Sequence, residues 1–295
     1  MSRKPRKAQP SRTREKNQHP TFRFSSRHPV ALLIYAVAIL AVLGVWLLQS
    51  TEQNTAASPD APTQLTVKVL SVRPHDPQAF TQGLLLHNGS LYESTGLYGQ
   101  SSLRRANPQT GEVMRRVGLA SHLFGEGLER VGERLIQLTW REHIAFVYDL
   151  NSFDRLGELT YAGEGWGLCF DGQQLIMSNG SDVLTFRDPD TFAETRRVKV
   201  TLGDQPLRNL NELEWAEGWV YANVWYDERI FRIDPRNGQV MAVINAASLR
   251  AQLSDDERAQ ADVLNGIAYD PDKRTFLLTG KWWPKFFEVV FVPNS

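Results

Sequence analysis

Residues 82–96 read QGLLLHNGSLYESTG. An apolar run, the pair Asn88-Gly89 and a second run with alternating apolar positions spell a β-hairpin, because a two-residue turn with positive φ suits Asn-Gly. Residues 101–117, SSLRRANPQTGEVMRRV, add two more strands around a turn in which Pro presets φ and Gly supplies φ > 0. Four strands of this kind make one sheet with two faces to cover.

Working outward, the same unit recurs. It returns at 125–150 (GEGLERVGERLIQLTWREHIAFVYDL), at 163–198 (GEGWGLCFDGQQLIMSNGSDVLTFRDPDTFAETRRV), at 211–244 (NELEWAEGWVYANVWYDERIFRIDPRNGQVMAVI) and at 265–291 (NGIAYDPDKRTFLLTGKWWPKFFEVVF). Anchored at Gly83, Gly127, Gly167, Leu213 and Gly266, the spacings are 44, 40, 46 and 53 residues. Four-stranded blades repeat at about 40–50 residues. The longest spacing holds AASLRAQLSDDERAQADVL (246–264), whose composition predicts an inserted helix. The segments 107–111, 188–191 and 234–238 share an Asn/Asp-Pro form and are expected as tight turns between the outer strands of successive blades. Five units, each too small to cover its own faces, predict an all-β, five-bladed β-propeller spanning 64–295. Its seam is expected where Leu65–Val72 completes the last blade beside Phe287–Phe291.

The first 63 residues differ in kind. The whole chain is formally neutral, but residues 1–28 hold nine Lys/Arg against Glu15, a charge of +8 that the rest balances with −8. An acidic folded domain argues against nucleic-acid binding. Val30–Leu48 is nineteen uncharged residues, VALLIYAVAILAVLGVWLL. As a helix it spans about 28 Å, one hydrocarbon core. It is longer than the roughly 7–15-residue apolar core of a cleaved signal peptide. The reading is a basic cytoplasmic tail (1–29), a signal-anchor helix (30–48), a flexible linker (49–63) and an exported domain. Lys/Arg before the span keep the N-terminus in the cytoplasm. The chain is then a single-pass inner-membrane protein with its propeller in the periplasm, expected as a monomer. The lone cysteine, Cys169, reads as a small core residue.

Familiar catalytic signatures are absent: there is no Gly-x-Ser-x-Gly, no phosphate-binding glycine loop, and the six His residues show no metal-ligand spacing. No cofactor or catalytic metal is expected, although a structural calcium ion in a carboxylate-lined channel is compatible with the sequence. The residues opening each unit stand out instead: Phe80-Thr81-Gln82-Gly83, Phe124-Gly125-Glu126-Gly127, Gly163-Glu164-Gly165-Trp166-Gly167, Asn211-Glu212-Leu213-Glu214-Trp215 and Asn265-Gly266. In a propeller these would share one axis. Trp140, Trp225, Trp282, Trp283 and Lys281 would add indoles and an ammonium at the same mouth, a set suited to a small-molecule pocket.

The strings FTQGL, STGLYGxSxLR, FGEG, WGLxFDG, LNELEW, ANVW, LNGIAYD and LLTGKWWP, in this order over about residues 70–292, resemble the glutamine cyclotransferase family. The resemblance implies a five-bladed propeller that cyclises the N-terminal glutamine of peptides or proteins to pyroglutamate and releases ammonia. It places the essential acid at Glu126 and the substrate-binding residues at Phe80, Gln82, Phe124, Trp140, Trp166, Asn211, Trp225 and Lys281. On this reading Glu126 carries protons, Asn211, Gln82 or Lys281 supports the oxyanion, and the aromatics hold the glutamine folded. Glu164, Glu212 and Glu214 are read as channel-lining or ion-pair carboxylates. Two other readings stay open on sequence: a non-enzymatic periplasmic propeller that binds peptides or scaffolds an assembly, and a calcium-dependent lactonase-like hydrolase.

Overall fold

The computed structural model describes residues 61–294. The expected tail, the expected signal-anchor helix and all but the end of the expected linker lie outside the described residues. No helix among the described residues is long and apolar enough to cross a membrane.

Strand β1 (Thr63–Pro74) precedes a four-stranded antiparallel sheet of β2 (Thr81–His87), β3 (Ser90–Thr95), β4 (Ser102–Ala106) and β5 (Val113–Gly118). The second sheet is β6 (Gly125–Val131), β7 (Arg134–Thr139), β8 (Ile144–Asp149) and β9 (Arg155–Thr160). The third is β10 (Leu168–Phe170), β11 (Leu175–Met177), β12 (Val183–Arg187) and β13 (Glu194–Lys199), followed by a short ribbon of β14 (Thr201–Leu202) and β15 (Gln205–Pro206). The last sheet has eight strands. In it β16 (Leu210–Ala216), β17 (Trp219–Val224), β18 (Arg229–Ile233) and β19 (Val240–Asn245) join, through β1, to β22 (Lys285–Pro293), β21 (Thr275–Gly280) and β20 (Leu264–Asp270).

The expected seam is present: β1 runs antiparallel to β22, with Val67 opposite Phe291 and Val72 opposite Phe287. The same strand also pairs in parallel with β19, Thr63–Thr66 against Ala242–Asn245. That second pairing fuses two four-stranded units into one sheet and was not legible in the sequence. The expected single helix between β19 and β20 is instead two, α1 (Ala247–Arg250) and α2 (Asp255–Gln260). Ser254 is the reason for the break. Its hydroxyl accepts from the Glu257 N–H while the Glu257 carboxylate accepts from the Ser254 N–H, a capping box that starts a new helix.

The Asn/Asp-Pro turns join the third and fourth strands of a sheet, the outer strands of each repeat. Asn107 Oδ1 accepts from the Gln109 N–H at 2.8 Å, and Asp188 and Asp234 hold their turns in the same way. Asp149 does so in the second sheet at 2.9 and 2.8 Å, without a proline to announce it. The Asn88-Gly89 hairpin is as read, with φ of 47° and 70°.

The first strands of the units contact one another in a closed order: β2 with β6, β6 with β10, β10 with β16, β16 with β20, and β20 with β2. Five apolar clusters fill the contacts between neighbouring units, for example Leu85, Leu103, Leu128 and Phe146 between the first and second. Burying each such side chain stabilises the fold by about 1.5–3 kcal/mol. Cys169 is fully buried against Ile176 and Phe186, a core residue as expected. Gly167 marks a close approach between units. A Cβ there would lie 2.0 Å from the Asn211 carbonyl oxygen, so β10 meets β16 backbone to backbone.

Candidate active site

The site is built on a repeated irregularity. The β2 ladder skips from Thr81 to Gly83, β6 from Gly125 to Leu128, β16 from Leu210 to Leu213 and β20 from Leu264 to Ile267. Each skip is a bulge, which releases residues from pairing and re-aims their side chains. The released residues are Gln82; Glu126 with Gly127; Asn211 with Glu212; and Asn265 with Gly266. All four side chains among them that lie at the strand entrance are buried, Glu126 at 4%, Gln82 at 4%, Asn211 at 2% and Asn265 at 0% exposure.

Glu126 Oε1 accepts from Gln82 Nε2 at 3.0 Å. The Gln82 Oε1 in turn lies 3.4 Å from Asn265 Nδ2, which donates to the Thr81 carbonyl at 2.9 Å. The chain Asn265–Gln82–Glu126 thus fixes the carboxylate by hydrogen bonds across three units. Gln82, expected as a possible oxyanion donor, is committed to orienting Glu126. Burial raises the Glu126 carboxyl well above its usual range, against the pull of Lys281 and with added repulsion from Glu164 and Glu142.

Lys281 is 4% exposed, with its ammonium 4.6 Å from the Phe80 ring centroid. Among the described residues it makes no side-chain hydrogen bond or ion pair, so its N–H groups are uncommitted. Burial lowers its affinity for its proton, while Glu126 and Asp262 oppose that shift. The Asn211 amide is likewise uncommitted, with Oδ1 buried and unpartnered.

The aromatics form two arcs. In the first, Phe80 meets Phe124 edge-on at 6.1 Å and Trp282 at 4.9 Å, while Phe124 meets Tyr98 at 5.3 Å and Trp140 at 5.5 Å. In the second, Trp166 and Trp225 meet edge-on at 5.7 Å. Glu164 joins the arcs: its Oε2 accepts from Trp140 Nε1 at 2.8 Å and from Trp166 Nε1 at 3.0 Å, and its Oε1 accepts from Arg141 Nε at 3.0 Å. Burial by itself would raise the Glu164 carboxyl, but these hydrogen bonds and the Arg141 charge bring it below the ordinary value. Neighbouring carboxylates are therefore pushed in opposite directions, the usual mark of an acid–base group beside a permanently charged one.

The structure links Lys281, Phe80, Phe124, Trp140, Trp166 and Trp225 in one chain of contacts through Glu164, joins Gln82 to Glu126 by a hydrogen bond, and sets Asn211 in the matching bulge. Trp283 is a correction. It is 1% exposed, packs on Phe287 and donates its indole N–H to the Asp262 carbonyl at 2.9 Å, so it belongs to the core and not to the mouth. Glu212 and Glu214 serve backbone: Glu212 accepts from Ile267 N at 2.9 Å and lies 3.4 Å from Leu84 N, and Glu214 accepts from Tyr269 N at 2.9 Å. Sequence reasoning set Asn265 at a repeat start but gave it no role, although its place in LNG matches that of Asn211 in LNE, and it missed the bridging role of Glu164, which only indole geometry reveals. Among the described residues no group of three or more His, Cys, Asp or Glu is arranged to hold a metal ion.

Residues 39–291 match the family model described as glutamine cyclotransferase. A glutaminyl-peptide cyclotransferase from Arabidopsis thaliana is 38% identical over 270 residues, covering 90% of this chain and 83% of the relative. The crystal structure of Myxococcus xanthus glutaminyl cyclase is 39% identical and aligns with a TM-score of 0.73, covering 79% of this chain and 100% of that one.

Proposed function

The chain belongs to the glutamine cyclotransferase family and is by homology an acyltransferase of the glutaminyl-peptide cyclotransferase type, and we propose that Glu126 carries the proton chemistry of its reaction. The substrate is a peptide or protein with N-terminal glutamine. Its α-amine, as free base, attacks the γ-carboxamide carbon; a C–N bond forms and the carbonyl oxygen gains charge. Glu126 as carboxylate takes a proton from the attacking nitrogen and returns it to the departing NH₂. The second C–N bond breaks, and ammonia and the pyroglutamyl peptide leave.

One observation carries this reading: a buried carboxylate, raised in pKa, is oriented by Gln82 beside an ammonium with uncommitted N–H groups. A raised pKa brings the acid and base forms of Glu126 closer in energy at neutral pH, as two-way proton transfer requires. Lys281 and the Asn211 amide supply donors for the oxyanion. The aromatic arcs exclude water and hold the flexible glutamine side chain curled toward its own amine, which removes much of the entropic cost of ring closure. A scaffold protein has no need of such a buried acid.

The same proposal extends to architecture and place. The closed order of first strands and the five inter-unit clusters support a five-bladed propeller with the site at one end of its axis. The +8 segment before Val30–Leu48 supports a signal-anchor, with the enzyme working as a periplasmic monomer on the inner membrane. Ammonia release from a Gln-initiated dipeptide, measured on the domain from about residue 60, tests the activity. A reporter fused after Ser295 that is active only in the periplasm tests the topology; silence there, with signal from a cytoplasmic reporter, would reverse the orientation.

A further inference from the structure

Beside the aromatic pocket a cleft of about 380 Å³ is lined by the connection that carries Glu164 into the third sheet and by that sheet's outer strands, with Arg187 and Arg197 among its lining residues. Arg187 ends β12 and is 6% exposed. Its Nη1 donates to the Phe192 carbonyl at 3.0 Å, and its guanidinium lies 4.9 Å from the Phe192 ring and 5.7 Å from that of Tyr161. The Nε has no partner. No carboxylate among the described residues lies within ion-pair distance of Arg187. Glu194, across the β12–β13 ladder, binds Arg197 at 2.7 Å, and Glu164 binds Arg141 at 3.0 Å.

Glu194, opposite Arg187 in register, acts on it through charge but gives its hydrogen bond to Arg197, which leaves the Arg187 guanidinium without a hydrogen-bonded carboxylate. A guanidinium cannot escape burial by losing its proton. A buried charge that no carboxylate touches is costly, so a fold that keeps one is poised to receive an anion. A guanidinium is the cation best suited to a planar carboxylate. Asn179, Ser181 and Thr185 add polar groups to the walls, and Met177 and Val183 add apolar surface suited to methylenes.

We propose that this cleft is an oxyanion subsite, and that it receives the side-chain carboxylate of an acidic residue just downstream of the N-terminal glutamine in the substrate peptide. The cleft adjoins the pocket at Glu164, and an extended chain advances about 3.3–3.6 Å per residue, so the second or third residue is the one within reach. The identity of the occupant rests on the cyclisation proposed above; the anion-binding character of the cleft does not.

Two measurements separate these claims. The first uses acetyl-Ala-Glu-amide and acetyl-Ala-Gln-amide, which cannot cyclise. Calorimetry should show the glutamate peptide binding about tenfold more tightly, as for a hydrogen-bonded charge pair, with the difference lost in Arg187→Met. The second is the ratio of kcat/KM for Gln-Glu-Ala-amide and Gln-Ala-Glu-amide over their Gln-for-Glu counterparts. At one of the two positions it should be about ten in the wild type and near one in Arg187→Met. Arg187→Lys, which keeps the charge, should retain part of the preference and serves if the Met variant fails to fold. Equal affinity for the two blocked peptides, or a preference that survives Arg187→Met, overturns the subsite. A melting temperature raised by inorganic phosphate in the wild type only, with no peptide preference, would assign the cleft to a free anion and overturn the substrate claim.

Discussion

Replacing Glu126 by Gln separates catalysis from folding. The variant keeps the volume and can still accept from Gln82 Nε2, the partner held at 3.0 Å in the native site. It cannot exchange a proton. Proton transfer by a positioned group contributes about 10²–10⁴-fold, which is about 2.7–5.4 kcal/mol of barrier. The aromatic arcs do not change, so KM should hold while kcat falls by that factor. Stability should move the other way. The Glu126 carboxyl is raised by burial in the folded state. Such a group contributes stability in acid, below its unfolded pKa, and that contribution is lost as pH rises through the folded value. The Gln variant has no charge to bury, so its advantage in Tm over the wild type should be absent near pH 4 and grow toward neutrality. Ammonia release, confirmed by mass loss in the peptide, and Tm against pH are the assays. Turnover within threefold of the wild type would remove Glu126 from the mechanism; a Tm lowered at every pH would mean that the carboxylate is held for structure.

Three other outcomes follow from the geometry. Glu164→Gln leaves one oxygen for two indoles and none for Arg141, so KM should rise about tenfold, with a smaller change in kcat and a shifted tryptophan emission, read by steady-state kinetics and fluorescence. Glu129 on β6 has its carboxyl pushed up to about 7 by burial, against hydrogen bonds from the Arg130 and Phe170 backbone; Glu129→Gln should leave turnover near normal and gain about 1–3 kcal/mol in urea denaturation, a gain that opens between about pH 4.5 and 7 and is level above that. Gly167→Ala would force a Cβ to 2.0 Å from the Asn211 oxygen, so a loss of about 3 kcal/mol or more, seen as a lower urea midpoint or absence of soluble protein, is the expected result.

The local signals in this chain were strong because they are backbone rules. Asn88-Gly89, the Asn107 and Asp234 turns and the alternating runs between them each limit φ and ψ within a few residues, so strand count and the β1–β22 seam could be read in order. The ring of inward residues was legible because four of the five units open with a glycine beside their inward side chains, and the remaining one with Asn211-Glu212-Leu213 in the same place. Ser254, which splits the expected helix, was also local, but its reciprocal bond with Glu257 was outweighed by the run of good helix formers around it. Other features depend on atoms far apart in the chain. The pairing of β1 with β19, the sharing of Glu164 by Trp140 and Trp166, the orientation of Glu126 by Gln82 and Asn265, and the isolation of Arg187 each join separate units. Sequence supplied the residue types and their order along the chain. Only the closed packing of the units decided which donor faces which acceptor, because hydrogen bonds and desolvation act over a few ångströms of space and take no account of distance along the chain.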